Sequence, residues 1–158
     1  MPAASESRPA APPPALPARW RPLGVRLAVI FFGSLLVLVG GFAWAGLDAS
    51  VQAKFTPFQI GTIFFLAGIY GVVGWALARC RVDATQAGVV VVNGFRSIHL
   101  GWAEVVAVRM PRGAPWASLD VADGTTVAVM ALQATDGERT FRAVRALRAL
   151  VEAPPTGS

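Results

Sequence analysis

Two apolar runs, VRLAVIFFGSLLVLVGGFAWAGL (Val25–Leu47) and FQIGTIFFLAGIYGVVGWALA (Phe58–Ala78), stand close together ahead of a more polar C-terminal half. A hydrocarbon core about 30 Å thick takes roughly 20 residues of helix, and each run supplies them. Between Val25 and Ala78 the only charged residues are Arg26, Asp48 and Lys54, and the last two fall in the link. The expectation is a two-helix transmembrane hairpin over residues 23–78, with spans at 25–47 and 57–78. Ala43-Trp44-Ala45 has the small-residue pattern of a signal-peptide cleavage site. A signal core is about 7–15 residues long, and this run exceeds that, follows a polar leader and precedes a second span, so it reads as an anchor.

Composition supports this division. Of 158 residues, 54% are hydrophobic and 15% charged, against about 25% charged in a typical soluble domain. The net charge of +5 divides as +3 through Arg26, zero over the hairpin and +2 beyond it. Such placement reads as membrane topology rather than a nucleic-acid footprint. Arg19, Arg21 and Arg26 precede the hairpin, Arg79 and Arg81 follow it, and the link carries only Lys54. The positive-inside rule then puts both termini in the cytoplasm of a multi-pass plasma-membrane protein, with these five arginines at the headgroups. Trp44 and Phe55 mark one interface, and Trp20 and Trp75 the other.

Residues 1–22 hold seven of the twelve prolines, a composition that suits an unstructured cytoplasmic tail. Thr56 and Pro57 fit the N-cap and first position of the second span. Gly33, Gly40 and Gly41 in the first span, and Gly68, Gly71 and Gly74 in the second, are spaced to let helix backbones approach closely. They pack the hairpin against itself, or against another membrane protein or a second copy of the chain. No ionisable residue lies mid-span, so a transport path lacks its usual mark.

Residues 79–153 read as a small β domain with a C-terminal helix, and 154–158 as a short tail. Strands are expected at Arg81–Thr85, Gly88–Val92, Arg96–Leu100, Glu104–Met110, Trp116–Val121 and Thr126–Leu132. Asn93-Gly94 signals a two-residue hairpin with both turn positions at positive φ, and Asp123-Gly124 a second tight turn. Thr135-Asp136-Gly137-Glu138 fits a capping box. After it, Phe141, Val144, Leu147 and Val151 recur as one helical stripe that covers a sheet.

Taken with the hairpin, Arg79-Cys80-Arg81-Val82, Gly88-Val89-Val90-Val91-Val92-Asn93-Gly94, Leu100-Gly101-Trp102-Ala103-Glu104-Val105, Trp116-Ala117-Ser118-Leu119 and Asp136-Gly137-Glu138 carry a resemblance. The chain resembles actinobacterial membrane proteins with a bacterial PH-like domain, the low-molecular-weight protein antigen 6 family, over Arg19 to Val151. The resemblance implies a bent antiparallel sheet or barrel capped by the C-terminal helix, usually of seven strands where six are counted here. It implies no catalytic residue.

The residues point to binding rather than chemistry. One cysteine and one histidine leave no disulfide framework and no metal cluster. No phosphate-binding glycine loop, nucleophile elbow or zinc spacing occurs, so no enzyme, cofactor or metal is expected. Ala84-Thr85-Gln86-Ala87, where phosphoinositide-binding PH domains carry basic residues, has none. Arg139, Arg142, Arg145 and Arg148 fan around half of the last helix, a solvated face or, at Arg142 and Arg145, a lipid or partner face. Trp102 and Trp116 close the ends of the sheet or line a groove, and Glu104 is solvated or caps a turn. His99 reads as a strand histidine and Cys80 as an interfacial residue, while Asp83, Asp120, Asp123 and Asp136 lie in or next to turns, where backbone bonding explains them. The leading reading is a cytoplasm-facing binding or scaffolding module that recognises a protein by a sheet edge or a groove beside the helix. The alternatives are a sensor of lipid headgroups and an accessory subunit docking through its spans.

Overall fold

The computed structural model describes residues 14–155. It holds β1 (Ala18–Trp20), α1 (Gly24–Ala45), α2 (Ala49–Gln52), α3 (Pro57–Arg79), β2 (Arg81–Ala84), β3 (Gly88–Asn93), β4 (Arg96–Gly101), β5 (Val105–Arg109), β6 (Trp116–Val121), β7 (Thr126–Gln133) and α4 (Glu138–Glu152).

Helices α1 and α3 are long and apolar enough to cross a membrane by length and composition, and almost nothing in them is buried. Phe31, Phe42, Phe58 and Phe64 stand largely bare. Soluble monomers rarely leave so much contiguous apolar surface uncovered. The two helices touch near the ends that join the β domain. The Tyr70 hydroxyl donates to the Val29 carbonyl at 2.8 Å. A Cβ on Gly33 would lie 3.2 Å from the Tyr70 ring, and one on Gly74 2.7 Å from Val29. Gly33 and Gly74 therefore sit at the helix contact. A Cβ added at Gly40, Gly41, Gly68 or Gly71 would meet nothing within 4 Å, so these four do not pack this hairpin against itself. Thr56 caps α3 in a reciprocal box with Gln59, and Pro57 occupies the first turn. At the far end Trp44 meets Phe55 edge-on at 5.2 Å.

The β domain has two antiparallel sheets, β1-β2-β3-β4 and β5-β6-β7. Its seventh strand comes from before the hairpin: Ala18, Arg19 and Trp20 pair with Ala84, Asp83 and Val82. This corrects the expectation of an unstructured tail to Pro22, which is fully buried; residues 1–13 lie outside the described residues. The pairing is driven by burial and charge together. Leu16, Ala18 and Trp20 pack against the core, while Arg19 faces Asp83 across the ladder and pairs with it. Trp20 is therefore a domain residue rather than an interface marker.

Val82, Val89, Val91, Leu119, Val129, Leu132 and Leu147 form the core between the sheets and α4. The helix buries Thr140, Ala143, Val144, Leu147, Ala149 and Leu150. Phe141 was expected in that stripe but is 44% exposed. The capping box is also absent. Gly137 precedes α4 with no side-chain cap, and the Thr140 hydroxyl instead donates to the Gln133 carbonyl at 2.6 Å.

Both turns differ from expectation. Asn93 pairs with Arg96, so the two loop residues are Gly94 and Phe95, and among the described residues only glycines have positive φ. Gly94, at φ 59°, leads a turn of the type that needs glycine first. Ala122, Asp123 and Gly124 form a three-residue loop closed by Val121 and Thr125. Thr125 donates backbone and side-chain hydrogen bonds to Asp123, which hold its carboxyl below the usual range. That support is complete above the ordinary carboxylate pKa and fades as pH falls through the lowered value.

Gly88 is held by space as well as by angle: a Cβ there would lie 2.2 Å from the Leu100 carbonyl oxygen, whereas one at Gly113, φ 84°, meets nothing. Gly113→Ala should therefore cost only about 1–2 kcal/mol for the left-handed angle. Gly88→Ala must also part β3 from β4, and should abolish the cooperative melt of the detergent-purified protein that Gly113→Ala retains.

Candidate functional site

The junction between the apolar helices and the sheet gathers the residues best placed to act. Helix α1 starts at Gly24 with no side-chain cap of its own, so its first amides need outside acceptors. Asp136 supplies them. Its carboxylate accepts from Leu23 N at 2.9 Å and from Gly24 N at 2.8 Å, across 113 and 112 residues. A negative charge also suits the positive end of a helix dipole. Gly24 leaves the room, since a Cβ there would stand 2.7 Å from the carboxylate.

A second fastening joins the β3–β4 turn to α3. Phe95 lies 5.5 Å from Trp75, ring centre to ring centre, and is 67% exposed. Cys80, buried at the end of α3, accepts the Gly94 amide at 3.3 Å. Cys80 is thus a packing and hydrogen-bonding residue, not an interfacial one. With β1, these contacts join the helices to the sheet at three places.

At this junction a cavity of about 220 Å³ is lined by Arg21, Arg26, Trp75, Ala78, Arg79 and Arg81. Four of the five arginines expected at headgroups thus converge. Arg79 lies over the Trp75 ring at 4.9 Å. Arg81 donates to Asp83 at 2.8 Å. The fifth, Arg19, is turned outward onto the same Asp83. Among the described residues no carboxylate pairs with Arg21, Arg26 or Arg79.

The remaining candidates are dispersed. Trp102 is buried, and its indole N–H donates to the Thr85 carbonyl at 3.0 Å, so it closes the sheet end. Trp116 is 40% exposed at the start of β6. Glu104 accepts the Gly101 amide, capping the turn after β4. Arg142 is exposed, and Arg145 pairs with Glu138 at 2.6 Å on the outer face of α4. Asp83 and Asp120 lie near the ends of β2 and β6, next to turns, and pair with arginines, Asp120 with Arg109.

The sheet edges differ in how their backbone groups are used. Arg148 donates to the Val108 carbonyl on β5 at 2.9 Å. The Asn93 amide bridges β7, donating to the Ala128 carbonyl at 2.6 Å and accepting the Met130 amide at 3.1 Å. The outer strands of the four-stranded sheet are the three-residue β1 and the six-residue β4, each with a neighbour on one side only, and β4 is the longer edge. Antiparallel pairs alternate between bonded and unbonded, and the two-residue loop after Asn93 fixes the phase. The amides of Ser97 and His99 therefore face outward, while that of Gly101 is taken by Glu104.

Residues 79–150 match the bacterial PH domain family. Uncharacterised proteins of Mycobacterium bovis and of two strains of Mycobacterium tuberculosis are each 39% identical to the chain over 74 residues, or 47% of this chain and 48% of theirs. The chain thus spans about half the length of the curated relatives it matches. No solved structure matches it. The matched segment contains β2 to β7 and most of α4, and the seventh strand lies upstream of it.

Asp136→Ala removes the outside cap of α1, at a cost of about 1 kcal/mol. Amide exchange at Leu23 and Gly24 should quicken about fivefold, with exchange in β6 unchanged; equal quickening in both would show general destabilisation instead.

Proposed function

We propose that this chain is a two-span membrane protein of the antigen 6 type, with both termini in the cytoplasm and a PH-like domain acting as a binding and scaffolding module. Its domain is fixed to the hairpin by β1, Asp136 and the Gly94-Phe95 turn, so that it is presented at a set height above the bilayer. Lipid would cover the bare faces of α1 and α3. Phe95, beside Trp75, would sit at the membrane surface.

The partner is a protein segment that adds as a strand to β4. The supporting observation is the difference among edges: Arg148 and Asn93 occupy backbone groups on β5 and β7, whereas Ser97 and His99 keep outward amides on β4. Strand addition uses such alternate main-chain donors for affinity and flanking side chains for specificity. Nothing in this role calls for catalysis.

Two tests apply. Full-length protein should sediment with membranes and leave them only in detergent, and a C-terminal reporter at Ser158 should be active in the cytosol; free dispersal, or activity of a periplasm-only reporter, would refute the anchor or its orientation. His99→Pro deletes one outward amide without touching the β3 ladder, a change edge strands tolerate. It should abolish photo-crosslinks formed in cells from a probe at Ser97 and leave the melting temperature within a few degrees of the parent. Persistent crosslinks would rule out strand addition.

A further inference from the structure

We propose that the arginine-lined cavity at the helix–sheet junction is a binding site for a phosphate group. Arg21 comes from the link after β1, Arg26 from the first turn of α1, Arg79 from the end of α3 and Arg81 from β2. Four guanidinium groups drawn from four segments repel one another, and their convergence is favourable when an anion sits among them. Within the cavity lining there is no carboxylate. Only Arg81 has an acidic partner, and the same Asp83 also takes Arg19.

The geometry suits phosphate specifically. Guanidinium forks bind phosphate oxygens through paired hydrogen bonds, which a lone ammonium does not match. Arg79 lies over the Trp75 ring at 4.9 Å and Arg81 is braced by Asp83, so two of the four lose less freedom on binding than unsupported side chains would. The volume of about 220 Å³ admits a phosphate with several waters, at about 30 Å³ each. A phosphomonoester, with its second negative charge, offsets more of the four positive charges than a diester does. Trp75 and Ala78 add an apolar wall where the spans end. On the membrane reading that is the depth of lipid phosphates, and a phosphate carried by a lipid would place its glycerol against that wall. This site is separate from the β4 edge, and from the Ala84–Ala87 loop.

The test uses the full chain in uncharged detergent, with short-chain phosphatidic acid as probe, read by native mass spectrometry. One lipid should bind saturably, and Arg26→Gln with Arg79→Gln should weaken binding about tenfold or more, as loss of two charge-assisted contacts implies. Arg142→Gln with Arg145→Gln removes the same charge from α4 and should change it less than about twofold. Equal loss in both pairs would make the attraction one of net charge and overturn the site, as would unchanged binding in the first pair. If the first pair does not fold, Arg21→Gln, in an exposed link, carries the same requirement of weakened binding. Inorganic phosphate that displaces the lipid at equal concentration would assign the site to free phosphate; lipid that stays bound assigns it to a headgroup.

Discussion

A carboxylate placed by the β domain finishes a helix that the chain began more than a hundred residues earlier. The first amides of α1 have no partner of their own, and Asp136 accepts two of them. An uncapped helix end beside a sheet would leave those donors to water. Met from the sheet instead, they bind α1 to the turn that opens α4. One such bond is worth about 1 kcal/mol and would not hold a domain by itself. Its weight comes from company: β1 pairs into the sheet on one side, and Gly94 and Phe95 meet α3 on the other. Each fastening limits the freedom that the next must remove.

Placing the hairpin between the first and second strands has a consequence for the site. The spans leave and re-enter the domain at neighbouring points, because β1 and β2 are paired. Their arginines are therefore gathered: Arg21 and Arg26 on the way out face Arg79 and Arg81 on the way back. Positive charge that flanks the two apolar helices in the sequence is here gathered around one cavity. Several arginines also have local partners, Arg109 with Asp120 among them. Arg19 and Arg81 share Asp83, Arg145 meets Glu138 and Arg148 meets a backbone carbonyl, all of them positions where the guanidinium has a local task.

Features with local causes were legible in the sequence. Thr56-Pro57 is such a case, since a cap and its helix lie within one turn. So were six strands, because alternation and turn residues are adjacent in the chain. The seventh was hidden in a proline-rich segment whose pairing partner lies beyond two spans. Thr135 to Glu138 carried a convincing local pattern, but Asp136 was drawn to α1 and Thr140 closed the turn onto Gln133. Cys80 read as an interfacial residue because it ends an apolar run, and its place in the core beside the β3–β4 turn needed the fold. The arginines that flank the apolar runs are each visible in the sequence. Their convergence needed the fold, as did the outward amides of β4, which follow from a loop one residue out of step with the Asn93-Gly94 signal.

The central claim is that hairpin and β domain move as one body. Pulsed electron resonance between spin labels at Ser34 on α1 and Ser97 on β4, with the full chain in lipid nanodiscs, measures this directly. One narrow distance distribution is the predicted result. A broad or two-peaked distribution would mean a domain swinging on a tether, and would contradict the account.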